Sequence, residues 1–257
     1  MRTLIYVPII HTSADLGSMS NEVARRGIAA VGTEIWSRHQ ETIAGFWRAV
    51  REYCDGIQAR GVKIYQDGMV TDGPLGRRIV EDTAVAGSLN YQLVLTLLNR
   101  GACLVKTEQV DLVKREYDRL MAMAQARTMV SKLIAVARYK LIKTVLLRRR
   151  DAFIAETIND TLQPGETGIL FVGALHKVTK RLAPDIQIEE VKDAKSVWDY
   201  QRLLPFHSRH GQRLEELAGY LIGRVTCRHP ASEGPPVDGK QQASSHGTFD
   251  EIRRVSR

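Results

Sequence analysis

Cysteine is scarce in this chain, with only Cys54, Cys103 and Cys227 in 257 residues. An odd number so widely spaced excludes a disulfide framework and a cysteine zinc cluster, and it fits a reducing, cytoplasmic setting. Long hydrophobic runs are missing too. The apolar stretch Thr3 to Ile10 is too short for a membrane span, and no small-residue cleavage site follows it, so no leader is expected. Met129 to Leu147 is longer, but Lys132, Arg138, Lys140 and Lys143 interrupt it. The familiar nucleotide and serine-hydrolase signatures are also absent. Gly73-Pro-Leu-Gly76 lacks the Gly-Lys-Ser/Thr ending of a P-loop, there is no Gly-x-Gly-x-x-Gly, and Ser13 is not set in a Gly-x-Ser-x-Gly elbow. No internal repeat is visible.

What is present is an ordinary globular composition, 44% hydrophobic and 26% charged. The net charge of +8 would attract phosphates or an anionic surface. No recognition helix, zinc-finger spacing or basic-aromatic strand motif accompanies it, so no specific nucleic-acid partner is expected. A phosphate-driven mode would show itself as binding that weakens steeply with salt.

Hydrophobic patterning predicts an α/β fold: a central mixed or mostly parallel sheet flanked by helices, with a large helical middle section. The Ile- and Val-rich run 3–10 reads as a strand covered on both faces. After it, 12–18 is a turn-forming loop, and Ser18 or Ser20 caps helical material that runs to about Arg60, with Gly27 or Gly32 as the break point. Val62–Tyr65 is a short strand ending at Gln66-Asp67-Gly68. A helix opens at Gly73, its stripe of Ile79, Ala84, Leu89, Leu93 and Leu97 stopping at Gly101. Ala102–Val105 reads either as a strand or as a helix connection. Residues 109–162 contain no proline or glycine and read as helix in two or more segments, with Val130, Leu133 or Ile134, Ala137, Leu141 and Val145 facing the core.

Gln163–Gly168 is a turn, Ile169–Val172 a second strongly apolar strand, and Ile186–Glu190 an alternating strand. Two short helices follow, near 194–204 and 212–222. The expected organisation is one α/β domain over 1–227 with a helical insertion at about 76–162. From 228 to 257, Pro, Gly, Ser and Gln replace the apolar residues, and a disordered tail is expected.

Three polar positions lie just past the carboxyl ends of apolar strands: His11 with Asp15, Asp67, and His176. Parallel strands would bring them to one rim, where α/β sheets bind their ligands. Two imidazoles with carboxylates make a reasonable set for a divalent transition metal such as zinc or manganese, which would activate a bound water. Without metal, either histidine can serve as a general base. Weaker features read as surface. Arg77 and Arg78 follow a loop-to-helix turn, His207 and His210 are neighbours on a helix without a nearby carboxylate, and Cys227-Arg-His229 and Arg253–Ser256 adjoin or lie in the tail.

Arg150-Asp151 opening a helix, then Ile158, Leu162, Gly165 and Ile169-Leu-Phe-Val-Gly-Ala-Leu-His176, resembles the C-terminal part of the Tiki/TraB superfamily. In that group an Arg-Asn or Arg-Asp pair precedes a strand ending in Gly-x-x-His; its wider circle includes erythromycin-esterase-like proteins and haem-binding lipoproteins. The family's first Gly-x-x-His would fall on Pro8-Ile-Ile-His11, where Pro8 stands in place of glycine. The resemblance covers the first strand, the Asp67 strand and the segment up to His176; the helical middle has no counterpart.

The resemblance implies two histidines facing one cleft and, in some members, metal-dependent hydrolysis of peptide or amide bonds. His11 and His176 would be ligands or bases, Asp67 a ligand or acid/base, and Arg150 an anion stabiliser. By itself, Arg148-Arg149-Arg150 reads as a solvated helix face. The expected function is a metal-dependent hydrolase of a peptide, amide or ester in a small molecule or peptide. The alternative is a non-catalytic module binding a small ligand or a metal on the same scaffold.

Overall fold

The computed structural model describes residues 1–12, 14–15, 20–125 and 129–226, without the side chains of 116, 119, 120, 122–125 and 129–143. Five strands form one sheet: β1 (Arg2–Ile9), β2 (Lys63–Gln66), β3 (Cys103–Val105), β4 (Thr167–Gly173) and β5 (Ile186–Glu190). Their order is β3-β2-β4-β1-β5, and every pairing is parallel. All five carboxyl ends therefore share one edge. β1 lies between β4 and β5, which is why its apolar run is nearly unbroken: covered on both faces, it has no side to leave polar.

Helices fill both faces. α1 (Ser20–Val31) and α2 (Thr33–Asp55) follow β1, and α3 (Gly73–Val85) and α4 (Leu89–Asn99) follow β2. α5 (Val110–Gln125) and α6 (Met129–Thr161) follow β3, and α7 (Ala194–Leu203) and α8 (His207–Ile222) follow β5. Alternation along the strands separates two cores. Ile5, Val7, Ile9 and Phe171 pack with Phe46 and Val50 of α2, Leu93 of α4 and Leu217 of α8. Leu4, Tyr6, Leu170 and Val172 pack on the opposite face against Ile154 and Ile158 of α6.

Several expectations need correction. The stripe from Ile79 to Leu97 spans two helices, because Gly87 takes φ +99° and Ser88 caps α4 by accepting from the Tyr91 N–H. A left-handed glycine followed by a hydroxyl cap ends one helix and starts the next, a signal that the shared stripe concealed. Ala102–Val105 resolves as strand β3, so the stretch 76–162 is not helical throughout. Gly32, not Gly27, separates α1 from α2. Val145 is half exposed rather than core-facing; the other members of its stripe, like the tail features from 227 onward, lie outside the described residues. No helix among the described residues is long and apolar enough to cross a membrane.

Candidate functional site

The sharp turn after β2 presents the first acid. Met69 N–H donates to the Gln66 carbonyl at 3.1 Å, and Gly68 supplies the positive φ of +80° at the third position of this turn. Asp67 thus sits at the tip of β2, its own N–H bonded to the Phe171 carbonyl of β4 at 2.8 Å. β4 runs on to a second turn in which His176 N–H donates to the Gly173 carbonyl at 3.0 Å. That turn folds the imidazole back over the strand end, where its side chain is only 6% exposed.

Helix α6 contributes the partners. Asp151 Oδ1 lies 2.7 Å from His176 Nδ1, and Asp151 Oδ2 accepts from the Lys177 N–H at 3.1 Å. This carboxylate fixes the ring, so Nδ1 carries its proton toward Asp151 and Nε2 points the other way. Nε2 stands 3.7 Å from Asp67 Oδ2, too far for a hydrogen bond. Arg150, one residue earlier, reaches Asp67 Oδ1 with Nη2 and Glu108 Oε1 with Nε at 2.9 Å and Nη2 at 2.7 Å. Arg148 and Arg149 are exposed while Arg150 is buried, so the solvated-face reading fails for the third arginine. Of these three arginines, Arg150 alone turns inward on the helix.

The charges are interlocked. Burial disfavours the Asp67 carboxylate, but Arg150, His176 and His11 outweigh it and hold the group below the usual carboxylate range. Burial likewise disfavours the His176 imidazolium, yet the Asp151 hydrogen bond and the Asp67 charge raise its pKa above the ordinary value. Glu108 goes the other way. Its burial outweighs Arg150 and pushes the carboxyl up, and its Oε2 has no hydrogen-bond partner. Burial pushes the hydroxyls of Tyr6 and Tyr91 up, reinforced by Glu190 at Tyr6 and by Asp67 at Tyr91.

The other expected members lie apart. His11 is exposed, with Nδ1 4.0 Å from Asp15 Oδ2. Asp15 is engaged locally: Oδ2 accepts from Thr12 N–H at 2.5 Å and Thr12 Oγ1 at 3.0 Å, and Oδ1 from Ser88. It pins the loop after β1 to the start of α4. Among the described residues, no group of three His, Cys, Asp or Glu side chains is arranged to hold a metal ion. Sequence reasoning brought Asp67, Arg150 and His176 together but gave no role to Asp151 or Glu108. Asp151 belongs to the Arg-Asp pair; Glu108 carries no local signal, because its role depends on where β3 pairs.

His207 and His210 begin α8, and the surface reading holds only in part. His210 is exposed, whereas His207 Nδ1 is buried without a partner. Arg77 and Arg78 pair along α3 with Glu81 and Asp82, as a solvated face would. No protein-family model, curated protein or solved structure matches this chain.

Proposed function

We propose that the chain is a hydrolase of peptide, amide or ester bonds, with His176 Nε2 as its proton-transfer group. The observation that carries this reading is the buried line Asp151, His176, Asp67, Arg150. One carboxylate orients the imidazole, and the free ring nitrogen faces a second carboxylate across 3.7 Å. That gap suits an atom hydrogen-bonded to both, such as a water. Nε2 would take the water's proton while Asp67, kept ionised by Arg150, orients it and stabilises the imidazolium that forms. The Arg-Asp pair and the Gly-x-x-His strand end, both part of the Tiki/TraB resemblance, support the same residues.

That resemblance also implies a divalent metal, and the donors fit one only in part. His176 Nε2 and Asp67 Oδ2 are spaced somewhat beyond the roughly 3.4 Å expected of two tetrahedral zinc ligands. The Nδ1 contact with Asp151 is the outer hydrogen bond that metal-bound histidines make. Against this, His11 lies outside the cluster, Asp15 is committed to Thr12 and Ser88, and Arg150 already neutralises Asp67. The residues therefore supply only part of a metal's ligand set. Arg150 on Asp67 also favours the competing reading, a non-catalytic module that binds a small ligand on this scaffold.

The test joins metal content to turnover. Tag-free protein is dialysed against zinc or manganese and screened on ester and amide substrates, with His176→Ala, Asp67→Asn and His11→Ala alongside. The reading expects His176→Ala to lose about 10²- to 10⁴-fold in turnover, the range a general base supplies. Because Asp67 raises the His176 pKa, Asp67→Asn moves the rising limb of the pH profile toward acid. Metal bound near stoichiometrically and lost in both histidine variants would restore the metal-dependent form. Absence of turnover on every substrate class would leave the binding module.

A further inference from the structure

Beside His11, on the face of the sheet covered by α2 and α7, lies a cavity of about 210 Å³. Its apolar walls are Ile10 at the end of β1, Val23 of α1, Trp36 and Ile43 of α2, and Leu204 after α7. The polar groups that complete it are uncharged amides, Gln40 and Gln201, with Thr12 and His39. Among the described residues no Asp, Glu, Lys or Arg lines this space, although 26% of the sequence is charged. An ionic group pressed against these walls would lose its hydration and meet no Asp, Glu, Lys or Arg side chain.

His39 adds to this neutrality. Its ring is buried between Trp36, 5.2 Å away between centroids, and Tyr200, 5.7 Å away, and Nδ1 lies 3.1 Å from the Tyr200 hydroxyl. Burial holds its pKa down at about 4, so at neutral pH the wall is an uncharged imidazole in an aromatic row. His11, 48% exposed in its side chain, also lines this space. It stands two residues past Ile9, whose partner in β4 is Gly173, and Gly173 N–H donates to Asp67 Oδ2 at 3.4 Å, so the recess borders the strand ends that carry the candidate site.

We infer that this cavity is a recess for an uncharged aryl or branched alkyl substituent of the substrate, and that it selects such substrates for the site. This rests on the hydrolase reading for its use but not for its occupancy. Size agrees with a single ring: an apolar cavity of about 150 Å³ accepts benzene, and the recess here is larger by a methylene or two. His39 and Leu204 also face a second cavity of about 120 Å³ between α2 and α8. Leu204 therefore stands where shortening the side chain joins the two spaces and admits a longer group.

Binding of phenylacetamide, acetamide and the para-carboxylate of phenylacetamide to the full chain is measured by ligand-observed NMR and by tryptophan fluorescence. Phenylacetamide is expected to bind at least tenfold more tightly than either of the others. Leu204→Trp and, independently, Gln201→Trp fill the recess and lose at least tenfold in its affinity with unchanged thermal unfolding. Leu204→Ala shifts the preference toward 1-naphthylacetamide. Arg149→Ala, on the exposed side of α6, leaves phenylacetamide affinity as it was.

Equal affinity for phenylacetamide and acetamide, equal affinity for the carboxylate, or no effect of both filling variants overturns the recess. Binding that behaves as expected in a protein with no turnover removes the hydrolase reading and leaves the recess standing. Turnover indifferent to the aryl group, with no aryl binding, does the reverse.

Discussion

Replacing Arg150 with methionine tests whether charge holds the site together. The guanidinium meets Asp67 and Glu108 at once, and the three side chains are 11%, 11% and 0% exposed. Methionine keeps much of the aliphatic stem, so little of the effect comes from an empty space. Removing one partner from a buried ion pair costs about 3–5 kcal/mol, because the remaining charge is left in a poor solvent. Two carboxylates are stranded here; burial disfavours the ionised form of both, so protonation relieves part of the penalty and the cost stays within that range. At roughly 2–4 °C per kcal/mol for a chain of this size, the melting temperature drops by about 6–20 °C.

The pH dependence has a definite direction. Without Arg150, burial opposes ionisation of both carboxyls with less to offset it, so their folded-state pKa values are expected to rise. The folded state binds protons more readily, and the deficit shrinks as pH falls from 7 to 5. Urea unfolding of wild type, Arg150→Met and the exposed control Arg149→Met at both pH values measures this, with the control expected within about 0.5 kcal/mol of wild type. An Arg150→Met deficit no larger than that of Arg149→Met, or one that is the same at both pH values, refutes the charge-clamp account.

Two further predictions concern buried groups away from the cluster. His39, held at about 4 by burial, gives stability that is present in full above the unfolded value of 6.5 and lost as pH falls toward 4. The loss is on the order of 3 kcal/mol; His39→Gln flattens this part of the stability profile, and an unchanged profile would show that the ring is not the group responsible. In a Cys227→Ser protein, iodoacetamide at pH 8 modifies exposed Cys103. Cys54, fully buried with its thiol pushed up to about 12, reacts only after unfolding, and native labelling at Cys54 by mass spectrometry would contradict its placement.

The legible parts of this chain were those encoded locally. β1 and β4 announce themselves because strands covered on both faces need unbroken apolar runs, and Asp67 and His176 stand out as the polar residues that end such runs. Arg150 was ambiguous for a physical reason. Three consecutive arginines look alike in sequence, and only the rotation of α6 decides that the third turns inward. Glu108 was invisible because it follows a strand of three residues, too short to show a period, and it reaches the site only through the pairing of β3 with β2. The break between α3 and α4 was hidden for the opposite reason: both helices bury the same stripe, so periodicity continued across a turn.

The position of β1 has a consequence during synthesis. Its neighbours in the sheet are β4 and β5, and Ile9 pairs with Gly173, 173 − 9 = 164 residues later in the chain. At roughly 5–20 residues per second, the ribosome needs about 8–33 s to make that stretch. Throughout that time a strand whose side chains are almost all destined for the interior lacks both of its neighbours in the sheet. His176 is made with the same late segment that gives β1 its first neighbour, so the candidate site and the central strand are completed together.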